Sequence, residues 1–131
     1  MVLAKRIICA VSICMLLPLK LVQAADMSAA SRFEVDALLN HLASSGCQFN
    51  RNGTWYSAAE AKAHLNKKLE YLVQKHLAST AERFIDEAAS KSSMSGKSYQ
   101  VKCGNEAAQE SAVWLHSALK ELRNKKAVSG K

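Results

Sequence analysis

The sequence predicts an α+β domain in which four helices pack on a small antiparallel sheet of two or three strands, in the order α-β-β-α-α-β-α. Asn52-Gly53 is a strong hairpin signal, because both residue types tolerate the positive φ of a type I′ turn. Apolar residues recur at helical spacing in four other segments. Cys47 and Cys103 flank two predicted strands, and one disulfide between them would make these strands neighbours.

The 131 residues suffice for one domain, and the first 24 have the features of a signal peptide. Lys5-Arg6 precedes an apolar run, and small residues follow at Val22 and Ala24, the positions that a signal peptidase reads. A comfortable membrane span needs about 20 residues, more than this run offers. The alternative is a retained N-terminal anchor. We expect cleavage after Ala24, export, and no stable membrane span in the mature chain.

The charge of the predicted mature domain, 25–131, is mild. Cleavage removes three cationic and no acidic residues, which lowers the formal charge from +7 to +4. A nucleic-acid-binding protein usually concentrates its basic residues among aromatic ones, whereas only the tail around Arg123 is dense in charge here. We therefore expect no nucleic-acid partner. The polar tail from Asn124 is expected to fray.

Two of the four cysteines, Cys9 and Cys14, leave with the signal peptide. The remaining pair, Cys47 and Cys103, permits one intramolecular disulfide in an exported chain. Closing this loop would disfavour the unfolded chain by roughly 4 kcal/mol in the chain-entropy model. The alternative is a reactive redox pair, but the Cys-x-x-Cys spacing that lowers a thiol pKa is absent. We interpret the pair as a structural disulfide.

The first helix is predicted to begin near residue 28 or 31, since Ser31 and Glu34 have the spacing of a capping box. Four apolar residues share one helical face: Val35, Leu38, Leu39 and Leu42. Gly46 ends the helix, because glycine readily adopts the left-handed conformation found there. In the hairpin that follows, Phe49 and Tyr56 are expected to share one face.

Ser57 and Glu60 form a second capping box, which opens the longest helix, to about Leu77. One face of this helix is largely apolar: Ala58, Ala61, Leu65, Leu69, Leu72, Val73 and His76. A third box from Ser79 to Glu82 starts the next helix, which continues to about residue 89 and ends in a polar segment.

The last predicted strand lies around Tyr99, Val101 and Cys103, which alternate with polar residues. The final amphipathic helix is predicted from about Ala107. Its apolar residues recur at helical spacing: Trp114, Leu115, Ala118, Leu119 and Leu122.

Four sequence blocks carry a family resemblance: Phe-Asn-Arg-Asn-Gly at 49–53, Ala-His-Leu with a lysine at 63–68, Ala-Glu-Arg-Phe-Ile at 81–85, and Ser-Gly-Lys-Ser-Tyr-Gln-Val at 95–101. In type and spacing they resemble the signature blocks of the YfeK-like family, small bacterial exported proteins of unknown function. The resemblance extends over nearly all of the mature chain. It implies a periplasmic location and no particular activity.

The candidate binding residues lie on a second stripe of the long helix, on the hairpin and before the last strand; they are Glu60, His64, Lys68, Arg51, Asn52 and Tyr99. Glu60, His64 and Lys68 are one helical turn apart, so they can touch. With Arg51 nearby they would form an anion-binding or acid–base site, because histidine titrates near neutral pH. In the structural alternative, His64 hydrogen-bonds the hairpin backbone, and Arg51 pairs with an acidic helix residue.

No catalytic residue, metal site or cofactor is predicted. Gly96-Lys97-Ser98 mimics the end of a phosphate-binding loop, but the first glycine of that motif would fall at Lys91. The histidines show no His-x-x-x-His spacing, and both mature cysteines are assigned to the disulfide, which argues against a zinc site.

These observations favour a non-enzymatic periplasmic binding or accessory module. It would recognise a protein or a cell-envelope ligand through the hairpin tip and the stripe of Glu60, His64 and Lys68. The alternative is a small periplasmic hydrolase or enzyme inhibitor with Arg51 and His64 at its site.

Overall fold

The computed structural model describes residues 25–130, so the predicted signal peptide at 1–24 lies outside the described residues. Within that range, the α+β class and the predicted element order are confirmed, with one strand more than expected. No helix in this part of the chain is long and apolar enough to cross a bilayer. The elements are α1 Ala29–Ser44, β1 Gln48–Arg51, β2 Thr54–Tyr56, α2 Ala58–Gln74, α3 Ala81–Phe84 with a π-helical continuation Ile85–Ala89, β3 Gln100–Lys102, β4 Gln109–Glu110 and α4 Ser111–Ser129.

The strands form an antiparallel sheet in the order β2-β1-β3-β4. The two-residue turn between β1 and β2 has positive φ at Asn52 (52°) and at Gly53 (85°), as the hairpin signal requires. Phe49 lies directly opposite Tyr56, so the two side chains share a face. The hairpin prediction is confirmed.

The fourth strand, Gln109–Glu110, corrects the prediction of two or three strands. Both of its residues are exposed and polar, so they show no apolar alternation, and the strand exists only because it pairs with β3. The last helix therefore begins at Ser111 instead of near Ala107. It continues through Asn124 to Ser129.

The disulfide between Cys47 and Cys103 is confirmed, with a Cα–Cα distance of 4.3 Å. Its position follows from the sheet register. Gln48 at the start of β1 faces Lys102 at the end of β3, so the next residue outward on each strand is a cysteine. The bond therefore closes the β1–β3 ladder at one end and fixes these two strands as neighbours.

The helix caps agree in part with the predicted boxes. The box of Ser57 and Glu60 is present at the start of α2. At α1 the capping residue is Ser28, whose hydroxyl accepts from the backbone N–H of Ser31, so Ser31 itself is not the cap. At α3 the cap is Thr80, one residue later than predicted.

An ion-pair bridge ties three helices together at the surface. The guanidinium of Arg123 on α4 lies 2.8 Å from Glu34 on α1 and 2.5 Å from Glu82 on α3. Hydrogen bonding to Arg123 lowers the pKa of both carboxyl groups. Glu34, predicted as part of a capping box, thus joins helices that lie far apart in the sequence.

The core lies between the helices and one face of the sheet, and the four apolar residues predicted on α1 are all buried. Phe84 and Ile85 bring the third helix into this core with no exposed surface. Trp114 packs against the core at its edge, where its ring stacks on His41 and meets Phe49 edge-on. The sheet is small, and most of the apolar burial comes from helices.

We predict that replacing both cysteines, Cys47→Ala with Cys103→Ala, lowers the free energy of unfolding of the mature chain by about 4 kcal/mol. The sequence separation of 56 residues makes the loop closed by the bond long, so its loss greatly enlarges the unfolded ensemble. Urea unfolding followed by circular dichroism measures the change. A reductant should lower the free energy of unfolding of the wild type by the same amount and leave that of the variant unaffected. A difference between wild type and variant below about 1 kcal/mol would contradict the prediction.

Candidate functional site

The hairpin and α2 bring Arg51 and His64 into direct contact. Arg51 is the last residue of β1, and α2 starts directly after β2 at the Ser57 cap, so His64 lies beneath the hairpin. The Nη1 atom of Arg51 lies 2.6 Å from Nδ1 of His64 and 3.2 Å from its Nε2. The guanidinium also donates from Nη2 to the Tyr56 hydroxyl at 3.4 Å, and its carbon lies 4.9 Å from the centre of that ring.

This contact favours a neutral imidazole. A guanidinium can only donate hydrogen bonds, so Arg51 donates to a ring nitrogen that carries no proton; Nδ1 is the nearer at 2.6 Å, and Nε2 is 3.2 Å away. That nitrogen is 3.4 Å from the hydroxyl oxygen of Tyr99. Burial, followed by the charges of Arg51 and Lys68, lowers the pKa of His64 below its ordinary value of 6.5. These surroundings therefore favour the uncharged ring.

Lys68 lies one helical turn beyond His64 and also reaches Tyr99. Its Nζ atom is 3.4 Å from the Tyr99 hydroxyl, 5.1 Å from the centre of the ring and 3.3 Å from the backbone oxygen of Lys91. Burial and then the charge of Arg51 lower the pKa of Lys68. Burial raises the pKa of Tyr99, so the phenol keeps its proton. We name Arg51, His64 and Lys68, with Tyr56 and Tyr99, the cation cluster.

The cation cluster has more hydrogen-bond donors than acceptors. Arg51 offers five N–H groups and Lys68 three, whereas the acceptors they contact are one ring nitrogen, two phenol oxygens and one backbone oxygen. Among residues 25–130, no carboxylate forms an ion pair with Arg51 or Lys68. The charge of Glu87 partly favours the charged form of Lys68, but that carboxylate forms its ion pair with Arg83. An anion would supply acceptors and a directly paired opposite charge.

Glu60 does not complete the predicted stripe. Its carboxylate accepts from the backbone N–H and the hydroxyl of Ser57, both at 2.9 Å, so the capping box occupies it. The expected contact with His64 is thus not formed. The expected pairing of Arg51 with an acidic helix residue is not formed either, because its partner on α2 is His64.

Asn52 has a role at the tip of the hairpin. Its side-chain nitrogen donates to the Ser92 hydroxyl at 3.3 Å, and its side-chain oxygen accepts from the hydroxyl of Ser95. These bonds fasten the turn to the loop that follows the third helix. The hairpin is therefore held at its tip by Asn52 and at its base by the disulfide.

Two cavities open beside the cation cluster, of about 360 Å³ and about 400 Å³. Arg51, Tyr56, His64 and Tyr99 line both, so they form the wall that the cavities share. The first cavity extends under the hairpin, and apolar side chains form much of its wall: Leu42, Phe49, Ala61, Leu65, Ala89 and Leu115. The second lies between the hairpin tip and residues 92–94.

Ser111 is a residue of this region that sequence reasoning missed. It lines the first cavity, is only 4% exposed, and its hydroxyl has no hydrogen-bond partner among the described residues. The sequence placed it inside the last helix, whereas it is the first residue of α4. Strand β4 sets the start of α4, and because the sequence does not predict this strand, it gives no signal that separates Ser111 from the other residues of the helix. No group of three histidine, cysteine or acidic residues in the part that the structure describes could hold a metal ion.

Comparison with known proteins places the chain in a family. A family of unknown function, DUF5329, matches residues 29–123. The chain belongs to this family. It is similar to the uncharacterized protein YfeK of Salmonella typhimurium (strain LT2), with 40% identity over 96 residues, covering 72% of this chain and 76% of that protein. No solved structure matches. The YfeK-like resemblance is confirmed, and the whole cation cluster lies inside the matched range.

We predict that His64 makes stability fall at acid pH. Its pKa is lowered in the folded protein, so the unfolded chain binds the proton more readily, and the stability present above about pH 6.5 is lost as the pH falls through the lowered pKa. The groups facing the ring are Arg51, Tyr99, Lys67 and Lys68. The difference in free energy of unfolding between wild type and His64→Gln should therefore shrink with acidification.

Urea unfolding at a series of pH values measures this difference in free energy of unfolding. Because both proteins contain the other histidines, the contributions of those residues cancel in the comparison. An NMR titration of the His64 ring provides the direct check. A His64 pKa at or above 6.5 in the folded protein would contradict the assigned environment.

Proposed function

We propose that the protein is a non-enzymatic binding or accessory module of the periplasm, and that its cation cluster recognises an anionic group of a protein or cell-envelope ligand. The observation that carries the proposal is the convergence of Arg51 and Lys68 on one wall, with no carboxylate among the described residues paired to either. The expected signal peptide and the disulfide support the compartment.

The electrostatics of the cluster favour an anion. The pKa values of His64 and Lys68 are both lowered, with the charge of Arg51 contributing to each, so the site opposes further positive charge. A bound carboxylate or phosphate would reverse this effect, because an opposite charge within a few ångströms favours the charged form of a base. Arg51 supplies the planar fork that matches such groups in a bidentate manner.

The site is held in place before a ligand arrives. The disulfide fixes the base of the hairpin, and Asn52 fixes its tip to Ser92. The rings of Tyr56 and Tyr99 lie against the cations and restrict their movement. Such preorganisation lowers the entropy lost on binding, as a recognition module requires.

The geometry favours binding over the hydrolase alternative. A catalytic histidine usually has its Nδ1–H held by a carboxylate, but Arg51 faces Nδ1 of His64. The hydroxyl near Nε2 belongs to Tyr99, whose raised pKa makes it a poor nucleophile. These contacts support a role of Arg51 and His64 in recognition.

We predict that Arg51→Ala and Lys68→Ala each weaken the binding of inorganic phosphate by about tenfold, since each removes a charge-assisted hydrogen bond. NMR titration of the mature protein, followed at the His64 ring, measures the affinity. Lys120→Ala is the matched control, because it removes the same charge from an exposed position outside both cavities.

Urea unfolding of the same variants separates recognition from scaffolding. Retained stability with lost phosphate binding supports the proposal. If stability collapses in both variants, or if Lys120→Ala weakens binding as much as they do, the residues are structural or the effect is one of net charge, and the proposal fails.

A further inference from the structure

The first cavity has the character of a binding site for a molecule with two unlike ends. Its polar lining includes the partly buried side chains of Arg51, Tyr56 and His64. Two exposed charged residues, Glu60 and Lys67, also line it, and the Glu60 carboxylate is occupied by the Ser57 cap. Its inner wall is mainly apolar and includes Leu65 and Leu115, which are almost fully buried. Ligand pockets in proteins combine such an apolar lining with a few polar groups that fix orientation.

The hydroxyl of Ser111 is a second and independent feature of the same wall. A buried hydroxyl without a partner costs free energy, and such groups are rare in folded proteins. Ser111 occupies the first turn of α4, and no side chain of the described residues caps that helix. The hydroxyl can donate or accept, but the first turn of α4 adds backbone N–H donors without an intrahelical partner, so an acceptor oxygen suits this wall best.

The volume of the cavity is large enough for a small ligand. One water occupies about 30 Å³ in the liquid, and the cavity of about 360 Å³ exceeds this by an order of magnitude. The value lies at the lower end of the range for small-molecule pockets, about 300–1,000 Å³. The cavity therefore suits a short chain or a single ring.

We propose that this cavity binds a small amphipathic anion. Its carboxylate or phosphate lies on the cation cluster, and its short apolar body fills the cavity. A further oxygen of the ligand accepts a hydrogen bond from the Ser111 hydroxyl. This inference rests on the proposed function, because the cluster supplies the anion site. It adds the class of ligand, a short oxygen-substituted acyl or aryl anion. Both cavities share four members of the cluster, Arg51, Tyr56, His64 and Tyr99, whereas Lys68 lines only the second cavity and Ser111 only the first.

The first experiment compares the affinities of acetate, hexanoate, octanoate and octanol for the mature protein by NMR titration and calorimetry. We expect affinity to rise from acetate to octanoate by at least about tenfold, since each methylene that becomes buried adds about fourfold. Octanol, which lacks the charged head, should bind at least about tenfold more weakly than octanoate.

The second experiment closes the cavity. Ala61 lines it from α2 and is partly buried, so Ala61→Phe should fill part of the space. We expect octanoate to bind at least about tenfold more weakly to this variant, through the loss of buried methylenes, and acetate to bind unchanged. Ala59→Phe is the matched control, because Ala59 is an exposed residue of the same helix that does not line the cavity. Both variants are first shown to fold by circular dichroism.

The third experiment tests Ser111 with hydroxyoctanoates that carry the hydroxyl at different carbons. We expect at least one isomer to bind more tightly than octanoate to the wild type, and Ser111→Ala to remove that advantage, so that the isomer and octanoate bind the variant equally. Stability should not fall in this variant, because the hydroxyl has no partner to lose.

The outcomes distinguish this inference from the proposed function. If acetate and phosphate bind at the cluster but chain length has no effect, the cavity proposal is overturned and the anion site stands. If no anion binds, or if Arg51→Ala leaves binding unchanged, both fail. If every hydroxyoctanoate binds like octanoate in the wild type and in Ser111→Ala, the assignment of the acceptor oxygen is wrong.

Discussion

The pairing of β1 with β3, closed by the Cys47–Cys103 bond, is the constraint on which the rest of the structure depends. Both strands are short, so their ladder contains few hydrogen bonds, and the covalent link makes their register independent of those bonds. The register places Arg51 at the free end of β1, and Tyr99 directly precedes β3. Because α2 begins directly after the hairpin at the Ser57 cap, its residues His64 and Lys68 lie next to Arg51 and Tyr99. The site is a consequence of sheet geometry.

The cluster built in this way is unusual for a surface that serves only stability. Where this protein uses ion pairs to join helices, it supplies carboxylates, as at Arg123. At Arg51 and Lys68, the direct partners among the described residues are aromatic rings and an imidazole, and the nearby Glu87 carboxylate pairs with Arg83 instead. Cations that are partly removed from water without an opposite charge lower the stability of a protein, and such local costs are concentrated at functional sites.

The sequence predicted those features that have local causes. The Asn52-Gly53 turn and the Ser57 cap depend on residues close in the chain. The disulfide is not local, but the predicted mature chain has two cysteines and therefore one possible pair. Proximity of Arg51 to the long helix was likewise foreseeable. The capping role of Glu60 was predicted too, but the same carboxylate was also expected to contact His64, and the folded geometry shows that the cap occupies it. Strand β4 was missed because it exists only through its pairing with β3, and the buried hydroxyl of Ser111 was missed because its burial depends on tertiary packing. The π-helical turn after α3 was missed as well, since its residues fit an ordinary helix.

The arrangement of the sheet and the site depends most on the disulfide between β1 and β3. Mass spectrometry of the protein taken from its native compartment, after free thiols have been alkylated, tests this link directly. The account predicts a single cross-linked peptide pair that contains Cys47 and Cys103, with neither residue alkylated. Recovery of both residues in fully alkylated form would contradict it.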